Sequence, residues 1–208
     1  MKLYDENLPA PNPRRVRMFL AEKGIAIPLE RVPLAEGKHK APDFLAKNSL
    51  GQIPVLELDD GSTISETVSI CRYLEALHPT PALFGTTPLE IGLIDMWIRR
   101  IELQLMSQIG HVWINSHKYT QAYAEKHGIK RFPEFGEESR KRAIGRLHWL
   151  DGEIAGRDFI AGDTYSMADI AALSVIDFAT FIGIPIPEGC ENLKAWHARV
   201  SARPSAKA

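Results

Sequence analysis

The chain has 208 residues, 45% hydrophobic and 25% charged, and its 25 Lys and Arg against 26 Asp and Glu leave a net charge of −1. Such a composition can bury a core of ordinary size, suits two small domains, and excludes disordered, collagen-like and disulfide-dense classes. Near-neutral charge supplies no basic footprint for a polyanion, so neither nucleic acid nor an anionic membrane is an expected partner.

In chain order, residues 1–4 form a short apolar start, and residues 5–13 a polar, proline-rich loop. The early charges and the missing apolar run do not fit a secretory signal, and no stretch reaches the roughly 18 apolar residues of a spanning helix. A cytoplasmic protein is expected. Residues 14–24 place Val16, Phe19 and Leu20 at helical spacing and end on Gly24, a suitable C-cap. Residues 28–32 read as a second strand and 41–46 as one or two helical turns. An apolar run over 53–58 ends in the Asp59-Asp60-Gly61 turn, 62–64 is the return strand, and 66–77 is helical. The order over residues 1–80 is βαβ, a short helix, then ββα, the first half of an α/β plus all-α architecture.

Pro79, Pro81 and Pro88 mark a change of pattern, with 81–88 as linker and 89–208 as an all-helical domain. One long helix is expected from Leu89 to about His117, with Leu93, Trp97, Ile101, Leu105, Ile109 and Val112 on its apolar face. Residues 119–135 read as a long loop or frayed helix. The next helix, 137–156, turns Ile144, Leu147, Leu150 and Ile154 inward; 167–182 is apolar enough to be buried all round, and 193–203 is a short last helix. Ser166-Met167-Ala168-Asp169 has the spacing of a capping box, which makes Asp169 a fold residue. Cys71 and Cys190 fall in no paired motif, so neither a disulfide framework nor a metal site is expected.

Two segments carry chemistry. In Gly51-Gln52-Ile53-Pro54-Val55-Leu56, a proline heads an apolar strand, where it is tolerated at the first residue or an edge. If the Ile53–Pro54 bond is cis, the Ile53 amide and carbonyl are free to pair with an extended peptide; otherwise Pro54 simply initiates a strand. Further on, Glu66-Thr67-Val68-Ser69-Ile70 opens a helix. A helix start can hold a carboxylate while Glu66 holds an ammonium, the two groups of an α-amino acid; a plain cap from Glu66 or Thr67 is the alternative.

The pairing of these segments resembles the glutathione site of the cytosolic glutathione transferases. Similarity extends to Glu36-Gly37-Lys38-His39-Lys40-Ala41-Pro42-Asp43-Phe44-Leu45 and to Phe159-Ile160-Ala161-Gly162-Asp163-Thr164-Tyr165-Ser166-Met167-Ala168-Asp169-Ile170. The resemblance implies a thioredoxin-like domain ahead of a helical bundle, glutathione as co-substrate without a metal, a small apolar electrophile as second substrate, and a homodimer. It assigns Gln52, Ile53 and Pro54 to the cysteinyl backbone of glutathione, Glu66 and Thr67 to its γ-glutamyl end, and His39 and Lys40 to its glycyl carboxylate. Most such enzymes place a Tyr, Ser or Cys donor before the first helix to stabilise the thiolate. This chain has Ala10 where related members carry serine, which places it with members lacking that residue. Asn12 is the nearest polar replacement, or else an N-cap before Pro13. His111 is a second possible donor, on a polar row of Gln104, Gln108, His111 and Asn115 that is otherwise solvated. Leu8, Pro11 and Trp113 are the expected electrophile contacts, with core packing the alternative for Trp113. A glutathione-dependent peroxidase, dehalogenase or isomerase, or a binding module without activity, are other uses of the same fold.

Overall fold

A computed structural model of the protein describes residues 1–6 and 10–208. It divides into two compact units, Met1–Phe84 together with Arg203–Ala208, and Gly85–Ala202.

In the first unit, β1 (Lys2–Asp5) pairs in parallel with β2 (Leu29–Arg31) through the crossover helix α1 (Pro11–Lys23). On the other side β1 meets β3 (Val55–Glu57), which turns back into β4 (Thr63–Ser65), both pairs antiparallel, for a sheet order β2-β1-β3-β4. Between β2 and β3 lie the 3₁₀ turn Lys38–Lys40 and α2 (Pro42–Leu45); α3 (Thr67–Leu77) follows β4. The expected βαβ, short helix, ββα order is therefore present. Strand alternation splits the core between two faces. Tyr4 and Val55 join Val32, Phe44 and Ile53 in one cluster, which leaves the fully buried Leu3 and Leu56 to the opposite face. Gly24 ends α1 at φ 65, with the Ile25 amide bonded back to Leu20 O at 2.9 Å.

Helix α1 starts earlier than residue 14. Its N-cap is Ala10, Pro11 is its first residue, and Asn12 lies inside the first turn instead of capping it. The physical reason is that proline's fixed φ suits a first turn, and both Pro11 and Pro13 fit there.

At the far end of α1, the Lys23 side chain is wholly removed from water. Its Nζ donates to His78 O at 2.8 Å and to Pro81 O, and pairs with Glu75 of α3. Glu75 Oε1 in turn accepts the amides of Leu83 at 2.9 Å and Phe84 at 3.3 Å. An ammonium and a carboxylate thus hold the strandless stretch 78–84.

The second unit is helical: α4 (Pro88–Arg100), a π-helical turn (Ile101–Met106), α5 (Ser107–Asn115), α6 (Lys118–Lys126), α7 (Pro133–Glu153), α8 (Met167–Phe181) and α9 (Glu191–Ser201). The expected single long helix is interrupted by the π turn. Residues 118–126 form a helix, capped by His117, at the head of the stretch expected as a long loop or frayed helix. In α7 the inward small residue is Ala143, whereas Ile144 is 37% exposed. Helix α8 is buried continuously from Met167 to Ile176. Its capping box is complete: Asp169, at 0% exposure, accepts the amides of Ile160 and Ser166, the Ser166 hydroxyl and Trp196 Nε1–H, at 2.9 to 3.2 Å. Among the described residues no helix is long and apolar enough to cross a membrane.

Candidate active site

One glycine and one asparagine shape the loop that enters β3. Gly51 has φ +56, and a Cβ there would lie 2.5 Å from His39 O and 2.9 Å from Lys40 Cδ. Only glycine lets the loop lie against the Lys38–Lys40 turn. Asn48, 7% exposed, donates Nδ2–H to Gln52 O at 2.8 Å and accepts the Leu50 amide at 3.2 Å. Lys40 Nζ donates to Leu50 O at 2.8 Å, so this lysine braces the loop. The Ile53–Pro54 peptide is cis, with Ile53 and Pro54 buried and Gln52 exposed. Asn48 escaped the sequence reading because a lone Asn before a glycine reads as a turn residue.

The register of β3 with β4 brings the second segment alongside. Val55 faces Ser65 across the antiparallel pair, so continuing the ladder by one residue sets Pro54 beside Glu66. Glu66 is the one non-glycine residue with positive φ among the described residues, at φ 67 and ψ 121. Such a backbone costs on the order of 1–3 kcal/mol and accumulates at functional positions. Glu66 is exposed at the N-cap of α3, yet its side chain makes no capping bond. The first-turn amides of α3 therefore receive no bond from the Glu66 side chain, and its carboxylate stands beside them. Thr67, the first residue of the helix, is 6% exposed.

The start of α1 is poor in donors. Of the four amides a helix start leaves unbonded, Pro11 and Pro13 contribute none, which leaves those of the N-cap Ala10 and of Asn12. Within the first turn that leaves the main-chain N–H of Asn12, a half-buried residue. Tyr4 does not compete for this role, because its hydroxyl donates to Glu57 at 2.7 Å.

His111 and Trp113 belong to α5 in the second unit. His111 packs on Phe135 with ring centroids 4.9 Å apart, and its buried Nδ1 has no hydrogen-bond partner among the described residues. Trp113 stacks on His117 at 4.8 Å and meets Phe178 edge-on at 5.2 Å. The polar row is not simply solvated: Asn115 is 8% exposed, donates to His111 O at 3.0 Å and accepts the Phe132 amide at 3.0 Å. It ties α5 to the start of α7. Leu8, the remaining expected contact, lies outside the described residues. Among the described residues no group of three or more His, Cys, Asp or Glu could hold a metal.

Family models for the N-terminal and C-terminal domains of glutathione S-transferase match residues 10–77 and 118–204. A curated relative, glutathione S-transferase 2 of Saccharomyces cerevisiae, is 41% identical over 100% of this chain and 88% of its own length. Among solved structures, Gtt2 from Saccharomyces cerevisiae superposes with a TM-score of 0.92 at 40% identity, covering 100% of this chain and 99% of that one. A Gtt2-class glutathione S-transferase of Vibrio parahaemolyticus gives 0.85 at 33% identity, covering 99% and 95%.

Proposed function

The chain belongs to the glutathione S-transferase family, and on that premise we propose how this glutathione transferase holds its co-substrate and readies the sulfur. Glutathione lies along the head of β3 and the start of α3. The Ile53 main chain, with Gln52 and Pro54, pairs with the cysteinyl backbone. Glu66 takes the γ-glutamyl ammonium, Thr67 and the amides behind it take the γ-glutamyl carboxylate, and His39 with Lys40 meets the glycyl carboxylate. The observation that carries this reading is the register that sets Pro54 beside a strained, exposed Glu66 with an unused helix start next to it.

A free thiol has a pKa of about 8.5, and lowering it by two units takes about 2.7 kcal/mol of thiolate stabilisation. Ala10 offers no hydroxyl, so the chain is one of the members without the usual donor. A helix end alone contributes about 0.3–1 kcal/mol. We assign the remainder to Asn12, through its main-chain N–H and its side-chain amide, with His111 as the second donor. The thiolate then forms a carbon–sulfur bond to the electrophilic carbon. The leaving group departs with its electron pair, and the thiol proton has already passed to solvent. For the electrophile we retain Pro11, half-buried beside that amide, as a contact; Trp113 serves the aromatic packing of its own unit first. Exposed Leu89, Leu103 and Ile114 support a homodimer, checked by its sedimentation mass.

The test is retention on immobilised glutathione followed by conjugation of a generic aryl halide. Both are expected. Retention without turnover would assign the chain to the binding-module use of the fold, and no retention would remove the site. Ultraviolet titration of the bound thiol in Asn12→Ala and His111→Ala separates the two donors, since only loss of a true donor raises the thiol pKa.

A further inference from the structure

The thiolate reading puts the reacting sulfur at a helix start with a single free first-turn amide. A main-chain donor is sensitive to where its helix sits, because hydrogen bonds weaken steeply with distance and angle. What fixes α1 in place is therefore a chemical question.

Residues 203–208 group with the first unit and fold onto α1. They form a 3₁₀ turn, Pro204–Lys207, closed by Ala206 N–H to Arg203 O and Ala208 N–H to Ser205 O, both 3.1 Å. From this turn come contacts to both ends of the helix. Near the start of α1, Arg14 Nη2–H donates to Ala206 O at 2.9 Å. In its last turns, Glu22 receives both arms of Arg203, Nε and Nη2, at 2.8 Å each, and the Ser205 hydroxyl as well. The Glu22 side chain is 9% exposed and Ser205 4%, so water competes little for these bonds. Arg14 and Glu22 stand roughly two turns apart, about 12 Å along the axis. One anchor leaves a helix free to pivot and slide. Two anchors at that separation, the second of them a planar two-armed pair, fix its axial position and its rotation.

We propose that the 203–208 segment is a positioning strap for the catalytic helix, in which Arg203 and the Ala206 carbonyl set the place of the Asn12 amide against the glutathione sulfur. Arg203, Glu22 and Arg14 touch no substrate in this arrangement; they act through the helix. The inference rests on the thiolate reading given under Proposed function.

Three measurements on the full chain test it: the thiol pKa of bound glutathione, kcat against KM for glutathione, and melting temperature. Arg203→Gln is expected to raise the bound thiol pKa by about half a unit to one unit, and to lower kcat at neutral pH by about three- to tenfold, while glutathione affinity changes less than about twofold. The exchange Glu22→Arg with Arg203→Glu restores the ion pair in reverse and should recover most of both losses. If Arg203→Gln does not fold, Arg14→Gln, which removes the donor to Ala206, carries the same expectation. A fall in melting temperature with an unmoved thiol pKa and unmoved kcat makes the segment packing alone and overturns the strap. A parent enzyme whose bound thiol titrates like free glutathione overturns the thiolate reading and the strap together. A parent with a lowered thiol pKa that both variants retain overturns the strap only.

Discussion

Two helices of this protein begin with the same four-residue device and obtain opposite chemistry from it. Thr87-Pro88-Leu89-Glu90 opens α4 on the surface, and Ser166-Met167-Ala168-Asp169 opens α8 in the core; both close a capping box. At α4, the amides of Thr86 and Thr87 bind the exposed Glu90 carboxylate and pull its pKa down to about 2. At α8, burial pushes the Asp169 carboxyl up to about 6 against the pull of the Ile160 amide, the Trp196 indole and Ser166. The helices α3 and α1 differ from both, for neither has a side-chain cap. A start that satisfies its own donors serves the fold. A start left open, beside a carboxylate held at positive φ or a lone amide between two prolines, is available to a ligand.

The largest effect should come from breaking the buried box. Asp169→Ala leaves the Ile160 and Ser166 amides and the Trp196 indole N–H without an acceptor in a site of 0% exposure. At about 1–3 kcal/mol for each orphaned donor, the loss is roughly 3 kcal/mol or more, read as a shifted urea midpoint at unchanged slope. An open start should behave the other way. Glu66→Ala removes a charge-assisted contact to the ammonium, worth about 1.5–3 kcal/mol, so glutathione affinity falls tenfold or more by calorimetry while the melting temperature barely moves. Unchanged affinity would place the γ-glutamyl end elsewhere.

Smaller still is Glu66→Gly, which relieves a backbone at φ 67. It should stabilise the apo protein by about 1 kcal/mol, or roughly 2–4 °C, and still bind glutathione poorly. A lower melting temperature would show that this backbone carries no strain. The least is the pH response, and its sign differs between the boxes. Glu90 titrates below its ordinary value of 4.5, so its contribution is complete above that pH and is lost as pH falls toward about 2. Asp169 titrates above its ordinary 3.8, so its contribution is greatest below that value and declines as pH rises through about 6. Melting curves should lose the acid limb in Glu90→Gln and the decline between about 4 and 6 in Asp169→Asn. Parallel curves for both variants would remove the contrast.

Features written in contiguous residues were legible in the sequence. The Ser166–Asp169 spacing, the Gly24 stop and the segments opening at Gly51 and Glu66 each show a local pattern, and each element they mark is present. The start of α1 was not legible, because Pro9, Pro11 and Pro13 all suit a first turn and hydropathy cannot choose among them. The apolar stripe points to Ile144 and not to Ala143, because a small residue adds little to such a stripe even when it is the one turned inward. Helix α6 is polar around most of its surface, with only Ala124 buried, so its sequence resembles a loop. The Thr87 box lay in plain view but inside a run of prolines that read as linker. Asn48, and the return of Arg203 to Glu22, depend on residues distant in space or sequence, and nothing local announces them.

The lysine that ends α1 has a consequence for how the chain meets a protease. Cleavage needs a segment that can unfold locally into an extended shape and offer its peptide groups to the enzyme. Lys23, with its ammonium on His78 O, Pro81 O and Glu75, and Glu75 with its hold on the Leu83 and Phe84 amides, keeps 78–84 from doing so. Trypsin finds no accessible side chain at Lys23 itself, since that side chain is 0% exposed. The vulnerable point lies elsewhere, in the turn around Gly128 between α6 and α7, where Lys126 and Lys130 are both exposed. Brief digestion with trypsin should therefore cut within the helical unit, whereas chymotrypsin, which can cleave after Leu83 or Phe84, should spare 78–84 in the parent and cut it in Lys23→Met.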